Sequence, residues 1–265
     1  MKNVQKLIVL GVAGAASTAA LAQPVMIQVT VENLAPTNSI SYAPLRIGFG
    51  NGTFDSFNEG EAAGAAIVSV AEGGSGSAWF PAFEAAEPGA VLGTVLPDPA
   101  GPLLPGQSGS AVFSVDPAAN QFFSFAAMVV PSNDYFIGND DPMAYRVLDD
   151  DGNLLIGSIS QTGGDIWDAG SEVDGPFGAA FLMGSDNGDH IDENGVVVRD
   201  FMDLDVFNGL ETAAGYIFDR QFGASDEVYR ISFNVAAVPE PGTYGLMSAG
   251  LLGVGWLARR RRQQG

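Results

Sequence analysis

The stretch FFSFAAMVV at Phe122–Val130 decides the fold, and PSNDYFIGN at residues 131–139 follows it without a break. Eight of the nine residues of the first stretch are apolar, and Pro131 ends the run. A short continuous apolar run of this kind suits a strand buried on both faces better than a helix. We therefore predict a central β-strand, with the polar side chains that follow it placed at its end.

Short β-type runs recur on both sides of this strand. Residues 26–31 alternate as MIQVTV, which is typical of a half-buried strand, and glycine or proline separates most of the runs. Further strands are predicted at residues 45–49, 111–115, 145–148, 154–159, 196–201 and 228–235. Many short strands with two hydrophobic faces predict an all-β protein, an antiparallel β-sandwich.

One or two short helices are expected within the sandwich. Residues 62–71 are rich in alanine and follow Glu59 and Glu61, acidic residues that favour a helix N-terminus. Residues 201–209 form a second, shorter helix candidate. No internal repeat interrupts the body, so we predict a single domain over residues 23–238.

The first 22 residues have the pattern of a secretory signal peptide. Lys2 and Lys6 precede an apolar segment at residues 7–16, and Ala20-Leu21-Ala22 forms a small-x-small cleavage site. We predict cleavage between Ala22 and Gln23 and export of the remaining chain.

The last residues combine a turn, an apolar segment and a basic cluster. Pro239, Glu240 and Pro241 precede 16 uncharged residues at 243–258, and four arginines follow at 259–262. Sixteen residues are fewer than the roughly 20 that a helix needs to span a bilayer, and the arginines favour the cytoplasmic side. We therefore expect residues 239–265 to anchor the chain in the inner membrane only transiently.

This tail resembles the PEP-CTERM sorting signal of exported proteins of Gram-negative bacteria. The resemblance implies recognition by an exosortase, processing near Pro239-Glu240-Pro241, and a final location at the cell surface or in an extracellular matrix of polysaccharide.

The charge of the predicted mature body limits its partners. Residues 23–238 contain five arginines and 30 acidic residues, a net charge of −25. Such a body repels nucleic acid and anionic lipid, and it attracts cations. The chain has no cysteine and one histidine, His190, in an acidic loop where we expect it to be exposed. Thiolate chemistry is excluded, and a structural zinc site or a Ser-His-Asp triad is not expected.

Three acidic clusters compete as sites for a hard cation. DDDGN at residues 149–153 departs from the EF-hand spacing and is predicted to be a tight turn, and the acids of residues 186–193 show no ligand spacing. In the third cluster, Asp168 and Glu172 are four residues apart with Gly170 between them, and Asp134 ends the central strand. Calcium takes six to eight oxygen ligands, so these three carboxylates are the predicted metal ligands.

The body also resembles the spondin N-terminal domain. The residues that carry this resemblance are VTVENLAP at 29–36, FDSFNEGEAAGAAIVSVAEGG at 54–74, PSNDYFIGN at 131–139 and WDAGSEVDG at 167–175. The resemblance implies a C2-like antiparallel β-sandwich with Ca²⁺ held by loops at one edge, and its ligands fall on Asp134, Asp168 and Glu172. Glu172 stands where animal members have aspartate.

Together these features favour an exported, non-enzymatic calcium-binding module of the cell surface or matrix, adhesive or associated with exopolysaccharide. Two alternatives remain open. One is a secreted hydrolase that cleaves glycans with two carboxylates, and the other is a structural matrix protein without metal.

Overall fold

The computed structural model describes residues 23–236. The predicted signal peptide and the sorting tail with Pro239, Glu240 and Pro241 lie outside the described residues. Within residues 23–236, no helix has the length and apolar character needed to cross a membrane.

The described chain folds into β-strands joined by loops, with two short α-helices between the third and fourth strands. The elements in chain order are β1 (Val25–Asn33), β2 (Ser41–Tyr42), β3 (Leu45–Gly50), α1 (Ala65–Ala71), α2 (Trp79–Ala86), β4 (Val91–Val95), β5 (Ser108–Val115), β6 (Phe122–Val130), β7 (Tyr135–Gly138), β8 (Ser158–Thr162), β9 (Trp167–Asp168), β10 (Val198–Arg199) and β11 (Glu227–Val235).

The strands form two antiparallel sheets packed against each other. Sheet I has the order β5-β1-β11-β8, and sheet II has the order β10-β9-β7-β6-β3-β4, with β2 beside β6. The predicted all-β antiparallel sandwich with one or two short helices is therefore confirmed.

The sandwich has two hydrophobic clusters, and β6 lies between them. Phe123, Phe125, Ala127 and Val129 pack between the sheets, whereas Ala126 faces the cluster beneath the helices. The prediction that this strand is buried on both faces is confirmed. Together the two clusters give residues 23–236 a hydrophobic core of the size expected for a domain that folds by itself.

The helices cover the outer face of sheet II. Trp79 and Phe83 of α2, four residues apart, are both buried in the helix-side cluster. Gly48 of β3 permits this contact, since a Cβ there would lie 2.3 Å from the Phe83 ring. The predicted helix at 62–71 begins later, at Ala65, and α2 was not predicted because Pro81 interrupts its short pattern.

Several predicted strands need correction. Residues 145–148 form only isolated bridges, and the predicted strand at 154–159 lies instead at β8. The strand predicted at 196–201 is reduced to the two residues of β10, and residues 201–209 contain a 3-10 helix at Asp203–Phe207 in place of an α-helix. Apolar residues in these segments cover the core from loops, so their pattern does not require a sheet.

The acidic segment at 149–153 is a tight turn, as predicted. Asp149 N donates to the Asn153 carbonyl at 3.0 Å, and Gly152 N donates to the Asp149 carbonyl at 3.1 Å. The Asp149 carboxylate also accepts hydrogen bonds from Asn153, which satisfies it within the turn.

Candidate metal centre

The connection between β6 and β7 places Asp134 inside the protein. Ser132 Oγ donates to the Val129 carbonyl and accepts from Tyr135 N at 3.2 Å, which fixes the short connection at both ends. Asp134 directly precedes β7, and none of its surface is exposed. A buried carboxylate at this point requires compensating hydrogen bonds or a cation.

Sheet pairing brings the second predicted segment next to Asp134. In the antiparallel register of β7 and β9, Tyr135 pairs with Asp168. Ala169 N also donates to the Asp134 carbonyl at 3.3 Å. The structure therefore places two of the predicted ligands, Asp134 and Asp168, at neighbouring positions where β7 begins and β9 ends.

The Asp134 carboxylate organises the loop after β9. Its Oδ2 accepts from Ser171 N at 2.7 Å, from Ser171 Oγ at 3.0 Å and from Glu172 N at 3.0 Å. Gly170 begins this loop with φ of +63°, and a Cβ there would lie 2.7 Å from the backbone of Val196. Only glycine fits this close approach of two backbones.

Glu172, the third predicted ligand, is also buried. It is 1 % exposed, and it forms an isolated bridge with Asp192. Its Oε1 lies 3.5 Å from Nδ1 of His190, whose own side chain is 37 % exposed, as expected from the sequence. Asp174, two residues further on, was not predicted, and its Oδ2 accepts from the Tyr135 hydroxyl at 3.0 Å.

We call Asp134, Asp168, Glu172 and Asp174 the acidic corner. Four buried carboxylate oxygens of this corner have no hydrogen-bond partner among the described residues. They are Asp134 Oδ1, Glu172 Oε1, Glu172 Oε2 and Asp174 Oδ1. Unpaired buried oxygens of this kind are costly in a folded protein, so four of them on three residues of the corner call for a physical reason.

The corner favours the protonated form of its carboxyls. Burial raises the pKa of Asp168 to about 7, and the nearby Asp134 charge adds to this effect. Burial raises the pKa of Glu172 to about 7 and that of Asp174 to about 6. Burial also raises the pKa of Asp134, although the hydrogen bonds from Glu172 and Ser171 oppose it.

The ligand atoms of the acidic corner suit a metal ion, but the present spacing of its side chains does not. Carboxylate oxygens without partners are the ligands that calcium takes. However, within the described range no group of three or more His, Cys, Asp or Glu side chains is spaced to hold a metal ion. Side chains of the corner would therefore have to rotate before they could share one cation.

The signal for Asp174 was present in the sequence. It lies in the same segment as Asp168 and Glu172 and is followed by Gly175. What the sequence does not show is the hydrogen bond from Tyr135, which draws Asp174 back towards the start of β7.

The fold and its acidic corner define an acidic β-sandwich protein. Beyond the described range, residues 237–262 match the family model of the PEP-CTERM protein-sorting motif. The motif implies an exported protein that is sorted to the surface and processed by an exosortase. This agrees with the position of Pro239, Glu240 and Pro241. A search of curated proteins found no match for this chain, and neither comparison supports the spondin resemblance.

Proposed function

We propose that the chain is a non-enzymatic module of the bacterial surface or extracellular matrix, whose acidic corner binds Ca²⁺. The observation that carries this proposal is the set of four buried carboxylate oxygens without partners at Asp134, Glu172 and Asp174. A hard divalent cation would satisfy these oxygens and offset the burial and the mutual repulsion that raise their pKa values.

The ligands would come from both segments of the corner. Asp134 would use Oδ1, because its Oδ2 already accepts three hydrogen bonds. Glu172 would use its two oxygens, which lack a hydrogen-bond partner, in place of the 3.5 Å contact of Oε1 with His190 Nδ1. Asp168 and Asp174 would complete the protein ligands, with water in the remaining positions. The bound cation would neutralise part of the negative charge of the acidic corner.

The structural consequence of binding would be a stiffer loop surface. The segment 168–174 depends on Asp134 for its conformation, and it continues into a long loop with several exposed apolar side chains, including Phe177 at 61 % and Met183 at 60 %. A cation between the two segments would order this loop surface for contact with a polysaccharide or a surface protein. A calcium site of the spondin type would use three of these ligands, Asp134, Asp168 and Glu172.

A glycan hydrolase is the second candidate, and one observation favours it. The raised pKa of Asp168 and of Glu172, each about 7, is what a general acid needs. However, Glu172 is 1 % exposed, so a glycosidic bond would not reach it without displacement of the loop. Burial therefore favours the binding module over the enzyme.

Thermal unfolding tests the proposal. We expect the chain from residue 23 to residue 238 to melt higher in millimolar calcium than in EDTA, with about 2.7 kcal/mol of added stability at 100 times the dissociation constant. Glu172→Gln removes a ligand charge with little change in shape, so it should abolish most of the calcium-dependent shift.

Asp151→Asn is the matched control, because it removes one negative charge from the exposed turn at 149–153 and leaves the corner intact. The control should keep the full calcium-dependent shift. Equal melting temperatures of the unmodified chain in calcium and in EDTA would contradict the proposal and favour a matrix protein without metal.

A further inference from the structure

A groove of about 390 Å³ opens beside the end of β6, separate from the four residues of the acidic corner. We call it the apolar groove. Its apolar lining includes Ala43, Pro44, Met128, Val130, Ala179 and Phe181. A volume of this size accommodates a small organic molecule, and concave apolar surfaces with a few polar groups are the usual form of ligand sites.

The wall of the groove contains a strained residue. Phe181 has φ of +65°, a left-handed conformation that is unfavourable for a bulky side chain. Hydrogen bonds hold it on both sides, since Ala180 N donates to the Ser132 carbonyl and Ala213 N donates to the Phe181 carbonyl, each at 2.8 Å. Strain that the surrounding structure maintains is frequent at ligand sites.

The groove also has a polar atom that lacks a partner. Asn187 Nδ2 donates to the Glu72 carbonyl at 3.1 Å, whereas its Oδ1 is buried without a hydrogen-bond partner among residues 23–236. The Gly74 carbonyl in the same wall is already taken, because Arg46 donates to it at 2.5 Å. Asn187 Oδ1 therefore lacks a donor, and a turn of the Asn187 side chain towards the groove would let a ligand there supply one.

The negative charge around the apolar groove favours one kind of hydrogen-bond donor in the ligand. Glu72 is the charged residue of the lining, and it lies close enough to Glu172 to contribute to the raised pKa of that residue. The body as a whole carries a net charge of −25 over residues 23–238. A positively charged donor is favoured in such a field over a neutral donor or an anion.

We propose that the apolar groove binds a small organic cation, an ammonium group on a short hydrocarbon body. The hydrocarbon packs against the proline, alanine and Phe181 walls, and the ammonium donates to Asn187 Oδ1 with Glu72 nearby. The groove shares no lining residue with the acidic corner, so the site does not require a metal there.

Three ligands with the same tail and different head groups test this site. Hexylammonium, 1-hexanol and hexanoate are titrated into ¹⁵N-labelled chain of residues 23–238 in EDTA, and amide shifts are followed by NMR. We expect hexylammonium to perturb Gly73, Gly74 and Asn187, and to bind at least tenfold more tightly than either other ligand. Equal binding of 1-hexanol and hexylammonium would overturn the proposed preference for a cationic head group. Unchanged amide shifts at Gly73, Gly74 and Asn187 would overturn the site itself.

Two glycines provide matched variants. A Cβ at Gly101, in the groove lining, or at Gly157, outside it, meets no atom within 4 Å, and neither has a positive φ. Gly101→Leu should weaken hexylammonium at least tenfold by filling the groove, whereas Gly157→Leu should leave it unchanged. Asn187→Leu should weaken it as well, and if that variant does not fold, Gly101→Leu decides the question.

Glu172→Gln separates this site from the proposed metal centre. Hexylammonium binding in the groove should persist in that variant, even though its calcium response is lost. Loss of the groove shifts in Glu172→Gln would mean that the ammonium binds the acidic corner, which would overturn the proposal for the groove.

Discussion

Single carboxylates in this protein have two distinct roles, and Asp134 has both. Its Oδ2 holds the loop after β9 through three hydrogen bonds, while its Oδ1 is buried without a partner. One oxygen thus contributes to folding, and the other is available to a cation. This division explains why a test of metal binding should start from Glu172, whose two oxygens both lack a hydrogen-bond partner.

Glu87 shows the purely structural role. It is 3 % exposed, and its carboxylate accepts from the backbone N–H groups of Asn51, Thr53 and Phe54, the last at 2.6 Å. Glu87→Gln replaces an acceptor by a donor that faces these N–H groups, so we expect a loss of about 1–3 kcal/mol in the free energy of unfolding.

Urea denaturation measures this loss. Glu84→Gln on the exposed side of α2 is the control and should change stability by less than about 0.5 kcal/mol. An effect of Glu87→Gln no larger than that of Glu84→Gln would contradict the structural role.

The acidic corner predicts an unusual dependence of stability on pH. Because the folded-state pKa values of Asp168 and Glu172 are raised to about 7, the native state binds more protons than the unfolded state between about pH 4 and pH 7. In EDTA, stability should therefore fall by several kcal/mol as the pH rises through this window.

Urea denaturation at pH 5 and pH 8 measures this fall. Glu172→Gln should make the dependence weaker, since glutamine does not titrate. Stability that rises from pH 5 to pH 8 in EDTA, or an unchanged slope in Glu172→Gln, would contradict the raised pKa values.

At the scale of elements, the loop after β9 depends on one glycine. Gly170 has φ of +63° and lies against the backbone of Val196, whereas Gly60 has φ of +82° with no atom within 4 Å of an added Cβ. Gly60→Ala should therefore cost about 1–2 kcal/mol from backbone conformation alone. Gly170→Ala adds a backbone clash and should cost more than about 3 kcal/mol.

Thermal or urea melts of the two glycine variants compare these costs directly. The difference between them isolates the close approach of residues 170 and 196. Equal destabilisation of the two variants would contradict the packing of the 170–172 loop described above.

How far the sequence predicts an element depends on the surroundings of its residues. The apolar run of β6, broken only by Ser124, and the alternation of β1 indicated their strands. Burial on two faces gives a continuous apolar run, and burial on one face gives an alternating one. In contrast, β9 has only two residues, and its place is set by pairing with β7. Tyr145, Val147 and Leu148 are apolar because they cover the core from a loop, and the pattern alone does not distinguish this from a strand.

The same limit applies to the acidic corner. The spacing of Asp168, Gly170 and Glu172 predicted a loop that gathers carboxylates, and the structure places these residues beside Asp134. The unpaired oxygens and the place of Asp174 in the corner depend on distances between residues of different strands and loops. The spacing of residues along the sequence does not give these distances.

At the scale of the whole molecule, the sorting signal determines where the sandwich works. The PEP-CTERM motif at residues 237–262 implies processing by an exosortase. Replacing Pro239, Glu240 and Pro241 with alanine should prevent this processing, because the motif residues are lost. In a host with an exosortase, immunoblotting should show the variant retained at the unprocessed mass.

Gln264→Ala, beyond the matched residues, is the control for this variant and should be processed normally. Normal processing of the triple alanine variant would mean that the motif is not what the protease reads in this chain.

Calcium titration calorimetry tests the central claim most directly. For residues 23–238 we predict about one calcium ion per chain, with protons released on binding at pH 6.5 because the carboxyls of the corner must ionise. Glu172→Gln should lose this binding, and Asp151→Asn should keep it. Absence of binding heat in the unmodified chain at any of several temperatures, or equal binding by Glu172→Gln, would contradict a calcium site at the acidic corner.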